Sequence, residues 1–144
     1  MQAKRLINIV KLRRAAVDDA QRAVAECVAI ESRAEAQYHD WESKIWRETE
    51  AASALDATDM GVGSFAKWLP EARHQLATAR AQYDRTIAET SGARAHLAAT
   101  RAALSAVEDL YGQAQQVERA NANAQMQREL DQLIHIHPQK PSPC

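Results

Sequence analysis

The sequence predicts an all-α protein: a long antiparallel two-helix coiled-coil hairpin with an overhanging C-terminal helix. Three observations predict it. Of 144 residues 30 are alanine, against 4 glycines and 4 prolines, so helix formers dominate and breakers are scarce. Nearly all of those breakers fall outside the long middle segments: Gly61, Gly63 and Pro70 cluster together, and Pro138, Pro141 and Pro143 crowd the tail. Large apolar residues recur at three- and four-residue spacing through both flanking segments. The hydrophobic fraction of 46% overstates the core, because alanine supplies almost half of it. Thin helices suit this composition better than a globular core, and the length allows one domain, here residues 1–136.

The first helix is expected over about residues 3–58. Val10, Val17, Val24, Glu31, Tyr38, Ile45 and Ala52 take one heptad position, and Leu6, Arg13, Ala20, Cys27, Ala34, Trp41, Glu48 and Leu55 take the other. Arg13, Glu31 and Glu48 interrupt the stripe, and polar seam residues trade stability for register. At 1.5 Å per residue this helix would be roughly 80 Å long. Asp56-Ala-Thr-Asp-Met-Gly-Val-Gly-Ser64 has the composition of a turn, placed at about 59–64. Ser64 is a candidate cap for the next helix, and Pro70 a candidate first-turn residue if the start is later.

The second helix is expected over about residues 65–135. Leu69, Leu76, Tyr83, Thr90, Leu97, Leu104 and Tyr111 alternate with Ala72, Ala79, Thr86, Ala93, Thr100, Val107 and Ala114. Large and small residues in turn suit close packing against a slim partner. Gly92 and Gly112 weaken this helix without ending it. Beyond Ala114 the phase drifts to Val117, Ala124, Leu130, Leu133 and Ile134.

Charge decides how the two helices pair. Residues 1–14 carry five cations and no anion, residues 26–59 nine acids and three bases, residues 67–101 six bases and three acids, and residues 108–131 five acids and two bases. Folding back at the turn sets each block against its opposite, whereas parallel self-pairing sets like against like. An antiparallel hairpin is therefore expected, with residue 6 near residue 118 and residues beyond about 120 overhanging. The apolar residues near the end of the overhang either meet a partner or pack back on the N-terminal arm. Residues 137–144 are expected to be a disordered tail.

The same residues exclude several functions. The basic N-terminus, followed by Leu6-Ile-Asn-Ile-Val10, lacks the apolar length of a signal peptide, and no window reaches the roughly 18 to 20 residues of a transmembrane segment. Cys27 and Cys144 form neither metal spacing nor a disulfide framework, and Cys27 is read as a buried thiol. A cytoplasmic address follows by default. Gly61-Val-Gly63 lacks the lysine and spacing of a phosphate loop. His135 and His137 do not share a helix face, and the acidic pairs Asp18-Asp19 and Glu108-Asp109 are expected to face solvent. No catalytic, metal or cofactor site is expected, and a hairpin offers no pocket to tune one. Near-neutrality, at a formal charge of −1, argues against nucleic acid as a partner.

The scarce aromatics are unevenly spread. Tyr38, Trp41, Trp46, Phe65 and Trp68 gather in the half nearest the turn. Tyr38 and Trp41 fit the seam, Trp46 cannot share the direction of Ile45, and Phe65 and Trp68 share a face with Leu69 beside them. Exposed tryptophans there would anchor a protein partner; the alternative is that Trp46 and Trp68 pack on each other to thicken the tip.

Leu6-Ile-Asn-Ile-Val-Lys-Leu-Arg-Arg14 with Ala16-Val-Asp-Asp-Ala20, the alanine-rich first arm, Phe65-Ala-Lys-Trp-Leu-Pro70, and Ala106-Val-Glu-Asp-Leu110 with its polar extension resemble the FliJ family of the flagellar type III export apparatus, whose injectisome relatives are called YscO. The likeness covers nearly the whole chain but contains no catalytic motif. It implies a nonenzymatic stalk, similar to the central stalk of rotary ATPases, linking a hexameric export ATPase to the cytosolic domain of the export gate. Escort of export chaperones is also implied, as is a cytoplasmic location peripherally associated with the inner membrane at the flagellar base. The resemblance assigns Lys4, Arg5, Lys11, Arg13, Arg14, Glu118, Leu130 and Leu133 to the ATPase-facing end. It assigns Tyr38, Trp41, Ile45, Trp46, Phe65, Trp68, Leu69, Ala72 and Leu76 to the gate-facing region. The asparagine-glutamine run from Asn121 to Gln127 departs from the charged extension expected of that family. Two other readings stay open: a generic coiled-coil adaptor or chaperone unrelated to export, and a nucleic-acid-binding helical arm, which would need a continuous basic stripe.

Overall fold

The computed structural model describes residues 2–54 and 58–136. They form two helices, α1 (Gln2–Ser53) and α2 (Asp59–Ile136), making an all-α helical hairpin. The expected disordered tail and the seam residue Leu55 lie outside the described residues. Two compact units are built from these helices, one from residues Asp18–Ala99, the other from Met1–Val17 with Thr100–Cys144.

In the unit of Asp18–Ala99 the helices run antiparallel, and the ring of Tyr38 stacks on that of Tyr83 with centroids 6.1 Å apart. The buried positions are small: Ala20, Ala34, Ala72, Thr86 and Thr90. The larger seam residues Val24, Tyr38, Trp41, Ile45, Leu69, Leu76 and Leu97 are half-buried. A two-layer seam explains the division, since a long side chain has a neighbour on one flank only, whereas an alanine is covered whole by the opposing helix. Thr86 and Thr90 are tolerated there because each hydroxyl donates to its own helix, to the Tyr83 carbonyl at 2.7 Å and the Thr86 carbonyl at 3.0 Å.

In the unit of the two chain ends, Ala3, Val10, Val17 and Ala114 are buried, with Leu6, Leu104, Val107 and Tyr111 half-buried around them. The Ala3 N–H donates to a Glu118 carboxylate oxygen at 3.2 Å. That N–H is one of the first-turn donors a helix cannot satisfy itself. The first turn of α1 has no acid of its own, so α2 supplies the charge that its positive end favours. The pairing of residue 3 with 118 falls about one turn short of the expected 6 with 118.

Several boundaries and placements differ from expectation. The second helix begins at Asp59, so the expected turn at 59–64 is already helical, and α1 ends at Ser53 rather than 58. Thr58 is the reason: its hydroxyl accepts the Gly61 N–H at 3.1 Å and its carbonyl the Val62 N–H at 3.0 Å, the two bonds of an N-cap. No described glycine has a positive φ, so Gly61 and Gly63 serve as helix residues. Pro70 lies inside α2, not in its first turn. Arg13 and Glu48 occupy seam positions by spacing yet are exposed, because long charged side chains at the edge of a thin seam reach water. Cys27 is half-buried rather than buried.

Candidate interaction surfaces

The residues expected to face the export gate all lie in the unit of Asp18–Ala99. Tyr38, Trp41, Ile45, Phe65, Trp68, Leu69 and Leu76 are half-buried, Ala72 is buried and Trp46 is 65% exposed. Trp46 and Trp68 do not pack on each other. The spacing of Phe65 and Trp68 instead brings those two rings together, with centroids 6.0 Å apart. Lys44, not singled out by the sequence, joins the cluster: its ammonium sits 4.9 Å from the Trp41 ring centre and 6.0 Å from that of Trp68. It lies three residues after Trp41, so the signal was present in the helical spacing. A groove of about 430 Å³ opens beside it, floored by the small residues Ala51, Ala52, Gly61 and Ser64 and walled by Phe65, Trp68, Lys44 and Glu48. Met60 and Val62 are exposed nearby in sequence.

One helix turn from Trp41 is a second aromatic-cationic cluster. The Arg80 guanidinium lies 5.2 Å from the Tyr38 ring centre. A hydrogen bond to Tyr38 and the charge of Asp84, 3.2 Å from Arg80 Nε, hold that guanidinium above its ordinary pKa. Burial, then the nearby carboxylates of Glu35 and Glu31, raise the Tyr83 phenol, which stays neutral at physiological pH. On the other flank of Tyr38, His39 lies between Glu35 and Glu42, with Nδ1 2.8 Å from the Glu42 carboxylate. These ion pairs, like that of Arg22 with Asp19, join residues of one helix.

The residues expected to face an ATPase all lie in the unit of the chain ends. Lys4, Arg5, Lys11, Arg13 and Arg14 are exposed along α1, and Glu118 is exposed on α2. Leu130 and Leu133 are 49% and 54% exposed and Ile134 is 71% exposed, so the C-terminal apolar cluster does not pack back on the N-terminal arm. Residues 116–135 are exposed throughout. Missed by the sequence reading is a groove of about 490 Å³ at the start of the hairpin, lined by Gln2, Arg5, Leu6, Leu110, Gln113, Ala114 and Val117. Leu110 lies off the seam heptad and Val117 was read as phase drift. Only the pairing of the helices sets them beside Gln2, Arg5 and Leu6.

Among the described residues no group of three or more histidine, cysteine or acidic side chains is placed to hold a metal, and no helix is long and apolar enough to cross a membrane. The chain matches no family model, no curated protein and no solved structure.

Proposed function

We propose that the protein is a nonenzymatic stalk of a type III export apparatus, coupling a hexameric export ATPase to the cytosolic domain of the export gate. The observation that carries the reading is the separation of two kinds of surface on one hairpin. The unit of the chain ends bears five exposed cations on α1 and a bare helical extension, while the other unit bears the aromatic groove. The sequence likeness to the FliJ family supports it, through Leu6 to Arg14, Phe65 to Pro70 and Ala106 to Leu110. Lys4, Arg5, Lys11, Arg13 and Arg14 then enter an acidic ring lumen, drawn in by long-range attraction. Leu130 and Leu133 add apolar contacts from the extension, and Glu118 holds the start of α1 against α2. Trp46, Trp68 and Phe65 anchor the gate domain, with Tyr38, Trp41, Ile45, Leu69, Ala72 and Leu76 supporting them from the seam. Escort of export chaperones uses the same aromatics. The protein works in the cytoplasm, peripherally associated with the inner membrane at the flagellar base; the stretch from Arg13 to Ala20 favours the flagellar system over the injectisome.

The test is ATP hydrolysis by the cognate export ATPase with and without the protein. Stimulation, with a complex that Arg13→Glu/Arg14→Glu weakens by tenfold or more in a pull-down, is expected. Neither stimulation nor a complex would overturn the stalk reading and leave a helical adaptor or chaperone unrelated to export.

A further inference from the structure

The first turns of α1 have an outer face turned away from α2. Ala3, Val10 and Val17 are buried and Leu6 is half-buried, which fixes the side of α1 that packs on α2 within the unit of the chain ends. Lys4, Asn8, Leu12 and Ala15, at spacings of four, four and three, fall roughly opposite those residues. Lys11 and Arg5 flank this row on either side, and all six residues are exposed. Leu12 is 71% exposed, and Ile9, farther round the helix beyond Arg5, is 41% exposed. Neither residue belongs to the seam or lines the groove beside Leu110.

Charge on this face has one sign. Lys4, Arg5, Lys11, Arg13 and Arg14 stand along about 15 Å of helix, and α1 has no carboxylate before Asp18. The acids of α2 paired with these turns, Glu108, Asp109 and Glu118, belong to the helix behind, and Glu118 accepts the Ala3 N–H. A body touching the outer face is about a helix diameter, roughly 10 Å, from those acids, more than the screening length of about 8 Å at physiological salt. It therefore meets the cations of α1 without the neutralising charge of α2.

We propose that this outer face docks on an anionic lipid surface, with Leu12 entering the headgroup layer and Lys4, Arg5 and Lys11 on the lipid headgroups. The inference deepens the peripheral membrane association proposed above and rests on that reading. Charge complementarity calls for an anionic partner, and the position of Leu12 selects a bilayer over an acidic protein. Leu12 stands on the crest of the helix with cations on both flanks. A fluid interface shapes itself around such a crest: the apolar side chain enters, while the long cationic side chains reach back to the headgroups. Ile9 and the stems of Arg5 and Lys11 add apolar contact at the edges. The lipid face shares its cations with the surface assigned to the ATPase, so a chain lying on the membrane and a chain in the ring are separate populations.

The test uses the full chain and vesicles without any ATPase, so a negative result removes this inference and leaves the stalk reading to the hydrolysis assay. Co-sedimentation is expected with vesicles of phosphatidylcholine and phosphatidylglycerol in equal parts, but not with phosphatidylcholine alone. Lys4→Gln/Arg5→Gln/Lys11→Gln should weaken binding by about a hundredfold at unchanged helical circular dichroism, at about fivefold for each cation. Leu12→Gln, which leaves the charge intact, should weaken it by about tenfold. In a Cys27→Ser/Cys144→Ser background, a polarity-sensitive dye on Leu12→Cys should shift to the blue with the anionic vesicles, and the same dye on Asp109→Cys should not. Absence of binding to anionic vesicles, or binding indifferent to the triple substitution, would overturn the proposal. So would a Leu12→Gln chain that binds like the parent together with an unshifted dye, since the face would then read negative charge alone, as on an acidic protein.

Discussion

At the scale of single residues, Thr58 does most to set the local structure. Its hydroxyl satisfies the Gly61 N–H and begins α2 earlier than the sequence suggested. Gly61 and Gly63 make that first turn intrinsically weak, each by up to about 1 kcal/mol relative to alanine, so the cap offsets a large share of the cost. Thr58→Ala is expected to lower the unfolding free energy by about 1 kcal/mol in urea titrations, with Thr58→Ser close to the parent. Equal losses in both variants would mean that the methyl group, not the hydroxyl, matters. Thr58 was illegible because Ser64 and Pro70 offered equally good start signals downstream. Capping depends on a bond whose geometry appears only once the chain is folded. Lys44 teaches the same lesson: its spacing from Trp41 could be read, but its approach to Trp68 required the second helix.

At the scale of elements, α2 runs through two residues that usually end or weaken helices. Pro70 removes one amide donor, and the carbonyl it frees belongs to Ala66; both residues are exposed, so water can satisfy that carbonyl. Gly92 carries a purely intrinsic cost, because a Cβ added there meets no atom within 4 Å. Gly92→Ala is therefore expected to stabilise the hairpin by up to about 1 kcal/mol, seen as a higher thermal midpoint. A lower midpoint would show that the position is not open space in solution. The seam itself was the most legible element. Heptad spacing named nearly every residue now buried, from Val10 and Val17 to Thr86, Thr90 and Ala114, because in two long helices burial follows directly from angular position.

At the scale of the whole molecule, charge patterning selects the antiparallel pairing. The ion pairs Arg22–Asp19 and Arg80–Asp84 are local to one helix, and charges of the opposed blocks that do not touch attract over distances that salt screens. Raising sodium chloride from about 20 mM to about 0.5 M is expected to lower the thermal midpoint by a few degrees, since the screening length falls from about 20 Å to about 4 Å. A rise in the midpoint would mark like-charged blocks facing each other, as in a parallel dimer. The two candidate surfaces were readable in part. The cations and the aromatics stood out as clusters in the sequence because neighbours along a helix remain neighbours in space. The walls of both grooves did not, because each combines residues far apart in sequence, such as Leu6 with Leu110 and Ala52 with Phe65.

The sequence by itself determined the helical class, the two segments, their seam and their antiparallel sense. All four follow from periodicity and charge order, which are local or one-dimensional properties. Tertiary structure decided where α2 begins, which seam residues are covered whole, and that the C-terminal apolar cluster stays bare. These depend on distances between atoms of different helices. A thin two-helix seam buries only what the opposing helix covers: the alanines, threonines and two valines at its centre, never the long side chains at its edge.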